Sequence, residues 1–185
     1  MENLFQSEFQ LETKRFHLKG VTPTMIHQMY LHSEKDAIVG FFGFGESGYE
    51  RYKSLHENGI ETKDHSLFFF VIVDKHTDLA IGNCGFHSWN KEHKKAEIFY
   101  NFFNDEDKGK GSMSEILPLV LDFGFKNLDL NRIQGLVADY NIPSIKLLFK
   151  NGFVKEGILR EDYFDNGKFE DSVCYSLLKS EWKSF

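Results

Sequence analysis

Three strand-like segments in immediate succession constrain this chain most. SLFFFVIVD (66–74) and LAIGNCGFHSW (79–89) are apolar runs separated by the turn residues KHTD, which predicts a hairpin. HKKAEIFYNFF (93–103) predicts a third strand beside them. The period then lengthens, and from about Ser112 to Asn127 the apolar residues recur at helical spacing.

The flanks complete the pattern. FQLETKRFHLK (9–19) alternates as a first strand, and Thr22 caps a helix that opens with Pro23 and runs through Met25, Ile26 and Met29. GFFGFGESG (40–48) reads as a glycine-rich aromatic loop. Ser47 and Glu50 form a capping box for a second helix that stops near Gly59. RIQGLVAD (132–139) is a strand and IPSIKLLFKN (142–151) a short helix ending at Gly152. FVKEGILREDYF and KFEDSVCYSLL are two strands joined at Asp165-Asn166-Gly167, which is hairpin-turn chemistry. No repeat and no linker interrupts the 185 residues, so residues 1–185 predict a single α/β domain with its core over about 9–180.

Composition narrows the class of partner. The net charge of −6 argues against general nucleic-acid binding, which needs a basic face, and suits a small cation or a basic peptide end. Cys84 and Cys174 are far apart and imply no disulfide framework. MENLFQSEF lacks the basic-then-apolar order of a secretory leader, and no apolar run reaches membrane-span length, so the expectation is a cytoplasmic protein without a membrane partner. The twenty Phe residues read as core, with Trp89 and the Phe41, Phe42, Phe44 group also candidates for an acceptor-side lining. The eight His residues show no metal-ligand spacing and read as solvated or core-edge, so no metal is expected.

One stretch carries chemistry. NDEDKGKGSMSE (104–115) sets acidic residues before a Gly-x-Gly turn and a helix. Gly109 and Gly111 let consecutive N–H groups turn inward, the helix start adds partial positive charge, and Lys108 and Lys110 add more, which together make an anion site. It is not a Walker A loop, because GKGS has glycine where that motif needs Lys. It is not a dinucleotide fingerprint either, because position 114 is Ser. The other reading of these residues is that Ser112 and Glu115 form a capping box and the glycines a generic turn.

Further blocks follow in a fixed order: AEIFY (96–100), KGKGSMSE, FGFKNLDLNRI, NIPSIKLLFKNGF and EGILREDYFDNGKFEDSVCYSLLKSEW. Together they resemble the GNAT superfamily of acetyl-CoA-dependent N-acetyltransferases, and within it the branch that acetylates α-amino groups of ribosomal proteins. The resemblance implies a mixed, mostly antiparallel central sheet flanked by helices, whose fourth and fifth strands splay apart to form the acetyl-CoA slot. The family's Gln/Arg-x-x-Gly-x-Gly/Ala loop maps onto Glu106, Gly109 and Gly111, with Glu106 departing from Gln/Arg. The pyrophosphate is then expected on backbone N–H groups from Lys108 through Gly109, Lys110 and Gly111 to Ser112. Asn141 and Ser144 match the family's Asn-x-x-Ser/Ala, where Asn touches the pantetheine arm; Asn141 reads equally as a helix cap.

The resemblance also implies direct attack of an amine on the thioester in a ternary complex. An N–H near Phe102 or Phe103 is expected to meet the oxyanion. Glu97 is the first candidate for the base, with Glu161 and Asp162 behind it. The family's Tyr acid, seven positions after the Asn, is Leu148 here, which leaves Ser144 or Tyr163 to protonate the thiolate. The expected acceptor is a protein N-terminal α-amino group. The alternatives are a polyamine or aminoglycoside-like amine, or an acyl-CoA sensor without catalysis. The oligomeric state is open between monomer and homodimer.

Overall fold

The segment predicted as one strand over 9–19 is a hairpin. The computed structural model describes residues 4–62 and 64–183. In it β1 (Gln10–Glu12) and β2 (Phe16–Val21) pair antiparallel. The Thr13 hydroxyl accepts the N–H groups of Arg15 and Phe16 at 3.3 and 3.0 Å, a local bond that breaks an extended run. Residues 1–3 of the N-terminal segment read as leaderless lie outside the described residues.

Helix α1 (Pro23–His32) begins as its sequence dictates, with Thr22 accepting the Met25 N–H at 3.2 Å. Two expectations about the next stretch fail. Part of the predicted 40–48 loop is the end of a helix, α2 (Lys35–Phe42), which buries Ile38 and Phe42 and stops at Gly43 with φ 72°. Burial of those two side chains, about 1.5–3 kcal/mol each, outweighs the poor propensity of Gly40. Helix α3 (Glu46–Asn58) starts at Glu46 behind Gly45 with no side-chain cap, so Ser47 already lies inside it and the Ser47–Glu50 capping box does not form.

The meander follows as predicted: β3 (Ser66–Asp74), β4 (Ala80–Asn90) and β5 (Lys95–Phe102), all antiparallel. A 3-10 turn (Asp105–Asp107) leads to α4 (Ser112–Lys126), which continues through the half-exposed Pro118. Then come β6 (Arg132–Val137), α5 (Ile142–Lys150), β7 (Val154–Asp165) and β8 (Lys168–Leu178). The β7–β8 turn puts Asn166 at φ 48° and Gly167 at φ 84°, the pair of left-handed residues a tight hairpin requires.

Among the described residues the eight strands form one sheet in the order β1-β2-β3-β4-β5-β6-β8-β7, and every pairing but β5–β6 is antiparallel. One face packs on α4 and α5, where Phe68, Phe70, Phe86, Ile116, Val120, Phe125 and Leu148 build the main core. The other face meets α1–α3 over Phe42, Phe44, Phe69, Ile26 and Met29. Trp89 packs on the main core, while Phe41, Phe42 and Phe44 belong to the second. That second core takes Phe99 from β5 and Phe103 just after it but, among the described residues, nothing from β6, β7 or β8. No described helix is long and apolar enough to cross a membrane.

Candidate active site

The parallel pair in the middle of the sheet is short. Lys95, Ala96 and Glu97 pair with Arg132, Ile133 and Gln134, and there the two strands part. Beyond that point β5 stays with β4 as far as Phe102↔Gly82, while β6 stays with β8 as far as Val137↔Val173. Each strand leaves with its outer neighbour, so the sheet opens between them. The early hairpin adds one strand, which makes the predicted fourth and fifth strands β5 and β6.

Backbone register decides which groups face the opening. The Phe103 N–H donates to the Ile81 carbonyl at 2.9 Å, on the β4 side. Alternation then turns the N–H groups of Ile98, Tyr100 and Phe102 towards the side that β6 has left. Of the two expected oxyanion donors, Phe102 therefore faces the gap and Phe103 is engaged with β4.

A cavity of about 230 Å³ occupies the opening, lined among others by His87, Glu97, Tyr100, Asn141, Ser144 and Leu148. Side-chain alternation on β5 gives it two chemically different walls. Ile98 and Tyr100 pack on the α4–α5 core, and Phe99 on the α1–α3 core, so Glu97 shares the face of Phe99. On the first wall, burial pushes the Tyr100 phenol above its ordinary value, partly offset by the Ser144 hydroxyl beside it. On the second, Glu97 has a 17% exposed side chain, lies 3.5 Å from His87 Nε2, and accepts from Gln134 Nε2 at 3.4 Å. Leu148 is fully buried at the base, 3.1 Å from where a Cβ on Gly135 would sit.

The predicted residues do not all meet. Glu97, Asn141 and Ser144 line one cavity. Asn141 caps α5 by accepting the Ser144 N–H at 3.2 Å. Tyr163, on β7, is not among the cavity's lining residues, and its hydroxyl lies 3.3 Å from that of Tyr140, which with some burial holds it above the ordinary phenol range. Glu161 and Asp162 are exposed on the same strand, where the Glu161 N–H donates to Asp171 at 2.8 Å. Sequence reasoning passed over Tyr100, Gln134 and His87. The first two carried no motif, and His87 stood among eight histidines without spacing.

Past the end of β5 lies the anion loop. Gly109 and Gly111 take φ 75° and 73°, in the left-handed region that favours glycine. Gly111 is the residue before α4, and no side chain caps that helix, so its first-turn N–H groups have no partner within it. The capping-box reading of Ser112 and Glu115 is thus not what forms. Glu115 instead accepts from Arg15 Nε at 2.7 Å and the Arg15 N–H at 3.0 Å, while Arg15 Nη1 donates to the Lys110 carbonyl at 3.2 Å. Lys108 turns away from the cradle: its N–H donates to the Asp105 carbonyl at 3.0 Å and its ammonium to the Asp105 carboxylate at 2.6 Å. The acidic run before the glycines is therefore partly paired, and Glu106 is exposed. Among the described residues no three His, Cys, Asp or Glu side chains group as a metal-holding cluster.

An opened parallel pair beside an uncapped helix start marks the class, and comparisons with known proteins agree. The acetyltransferase (GNAT) domain family matches residues 15–154. The chain is 30% identical to the uncharacterised N-acetyltransferase YoaA of Bacillus subtilis over 91% of this chain and 96% of YoaA. It is 43% identical to N-acetyltransferase p20 of Bacillus licheniformis over 61% of this chain, a match that spans 63% of p20. Among solved structures, the Vibrio fischeri ribosomal-protein-S5-alanine acetyltransferase superimposes with a TM-score of 0.69 at 23% identity, covering 95% of this chain and all of that one. The chain belongs to the GNAT acetyltransferase family of acetyl-CoA-dependent N-acetyltransferases.

Proposed function

We propose that this protein transfers the acetyl group of acetyl-CoA to a protein N-terminal α-amino group, by direct attack in the opening between β5 and β6. The observation that carries the reading is the two-walled cavity between those strands, with an uncapped helix start beyond it. The pyrophosphate rests on N–H groups from Gly109 to the first turn of α4, with Lys110 adding charge. The pantetheine arm runs past Asn141 into the gap, and the Phe102 N–H, with Tyr100 deeper in, meets the oxyanion. Ser144, backed by Tyr100, protonates the departing thiolate. Glu97 attracts the incoming ammonium from the opposite wall. Tyr163 is not one of the residues that line this cavity, so Ser144 is preferred to it as the proton donor.

Two observations favour a peptide end. The second core stops at β5, so the face of β6, β8 and β7 that continues from Glu97 leaves apolar Leu159, paired with Ser172, exposed to a polypeptide. Glu156 is not available to a second ammonium, because Arg132 holds both its oxygens at 2.6 Å and Ser176 donates to it as well. One carboxylate lining the cavity, Glu97, for one charge suits an α-amine better than a polycation. The competing reading is a polyamine acceptor. It is favoured by 32% identity to a spermidine N(1)-acetyltransferase of Vibrio cholerae over 74% of this chain and 79% of that protein. CoA release measured with free-N-terminus peptides, their N-blocked forms and spermidine separates them. Turnover of free but not blocked peptides is expected; turnover of spermidine alone overturns the peptide assignment.

A further inference from the structure

His87 stands directly opposite Glu97 in the β4–β5 register, and both line the cavity. The ladder is irregular immediately after it, between His87 and Asn90, and Ser88 takes φ 49° there. A bulge of this kind re-aims side chains, and here it brings the Ser88 hydroxyl 3.0 Å from His87 Nδ1. The Phe99 ring lies 5.6 Å from the imidazole, tilted by 33°, and holds its flank. On the far side Gln134 steadies Glu97. The imidazole is thus fixed from its own strand and from β5, while 43% of its side chain stays open to solvent.

The separation between His87 Nε2 and Glu97 Oε1 is 3.5 Å, longer than a good hydrogen bond. In the tautomer whose Nδ1–H donates to Ser88 Oγ, Nε2 carries its lone pair towards the carboxylate. Two acceptors then converge with no donor between them, and an ammonium N–H supplies what the pair lacks. Imidazole is also the side-chain class that exchanges protons near neutrality, which matches it to an amine far better than a carboxylate.

We propose that the acceptor ammonium docks between Glu97 and His87, that His87 Nε2 takes its proton, and that Glu97 is the positioning residue. The proposal rests on acetyl transfer in this cavity. The first proton passes from nitrogen to Nε2 and on to solvent through the exposed edge of the ring. The free amine attacks the thioester carbon, the C–N bond forms and the C–S bond breaks. The thiolate takes a proton from Ser144, which the second proton shed by nitrogen replaces. Among the described residues, Glu97 also acts on Cys174 on β8, a thiol that feels Glu156, Arg132 and Asp162 as well.

The test uses the full chain and the variants His87→Gln and Glu97→Gln, with kcat and amine KM measured from below to above neutrality. CoA affinity and melting temperature are followed in parallel. His87→Gln is expected to lower kcat about a hundredfold, abolish the acidic limb and leave CoA affinity unchanged. Glu97→Gln is expected to raise the amine KM while the acidic limb persists, as befits a positioning residue. A His87→Gln enzyme with unchanged kcat and limb overturns the proposal. So does a Glu97→Gln enzyme that loses the limb while His87→Gln only shifts it, since Glu97 is then the base. Each measurement uses whichever amine the wild type turns over. Activity on spermidine alone therefore defeats the peptide assignment and still decides the role of His87.

Discussion

Helices α4 and α5 both begin at the opening in the sheet, and their first turns are built in opposite ways. At α5 every early donor is accounted for. The Ile142 N–H donates to the Tyr140 carbonyl at 2.9 Å, Pro143 has none, and the Ser144 N–H donates to Asn141. At α4 Gly111 is the preceding residue, no side chain reaches back, and an added Cβ at Gly109 or Gly111 would meet nothing within 4 Å. Donors, dipole and open space coincide at one helix and are closed off at the other. The phosphates therefore belong to α4, and what α5 offers the site is a side chain, the Ser144 hydroxyl.

The sharpest way to break this contrast is Gly111→Asp. It forces a side chain onto φ 73°, a strain of about 1–2 kcal/mol, and sets a carboxylate where phosphate is expected. Like charges brought together cost several kcal/mol, so CoA affinity should fall about a thousandfold in calorimetry. The melting curve should stay cooperative, since the site is exposed. Unchanged CoA binding would remove α4 from the site. Ser144→Ala comes next: kcat should drop about a hundredfold with CoA affinity nearly unchanged. Full turnover with an unaltered basic limb would mean that the thiolate is protonated from elsewhere, with Tyr100 the nearest donor.

The α4 loop was legible in the sequence because its signal is local. Two glycines in alternation, followed by helical periodicity, state the backbone requirement without any tertiary information. The opening was not legible from residues alone, since it depends on two registers over long separations: β5 with β4, and β6 with β8. Only the resemblance to a known family supplied it. His87 stayed hidden for the same reason. A lone histidine has no spacing to read, and its meaning comes from standing opposite Glu97. Helix α2 was misread because Gly40 and Gly43 look alike in sequence, although one lies inside a helix and the other ends it. Glu115 was misassigned because its partner, Arg15, lies a hundred positions away.

Asn141→Ala tests the closed helix start. It should lower stability by about 1 kcal/mol in chemical denaturation, the usual effect of losing an N-cap. CoA affinity should fall only a few-fold. A loss as large as that of Gly111→Asp would show that α5, and not α4, bears the phosphates.

Glu115→Gln should have the smallest effect, and it sharpens the picture of how the open start of α4 is held. Burial raises the Glu115 pKa, but bonds from the Thr13 side chain and from the Arg15 side chain and N–H outweigh it, so the net shift is downward. A carboxyl whose folded pKa lies below its unfolded one adds stability at pH values above the unfolded pKa. That stability is lost as pH falls through the folded pKa. The wild type should therefore exceed Glu115→Gln by about 0.2–1 kcal/mol at neutral pH, given that Arg15 is 41% exposed. The gap should close below about pH 4.3, where the unfolded carboxyl begins to hold its proton. Because Arg15 also grips the Lys110 carbonyl, CoA affinity should weaken a few-fold at neutral pH and less at high salt, where the pair is already screened. A stability gap that persists unchanged to acid pH would mean that the side chain acts through packing and not through its charge.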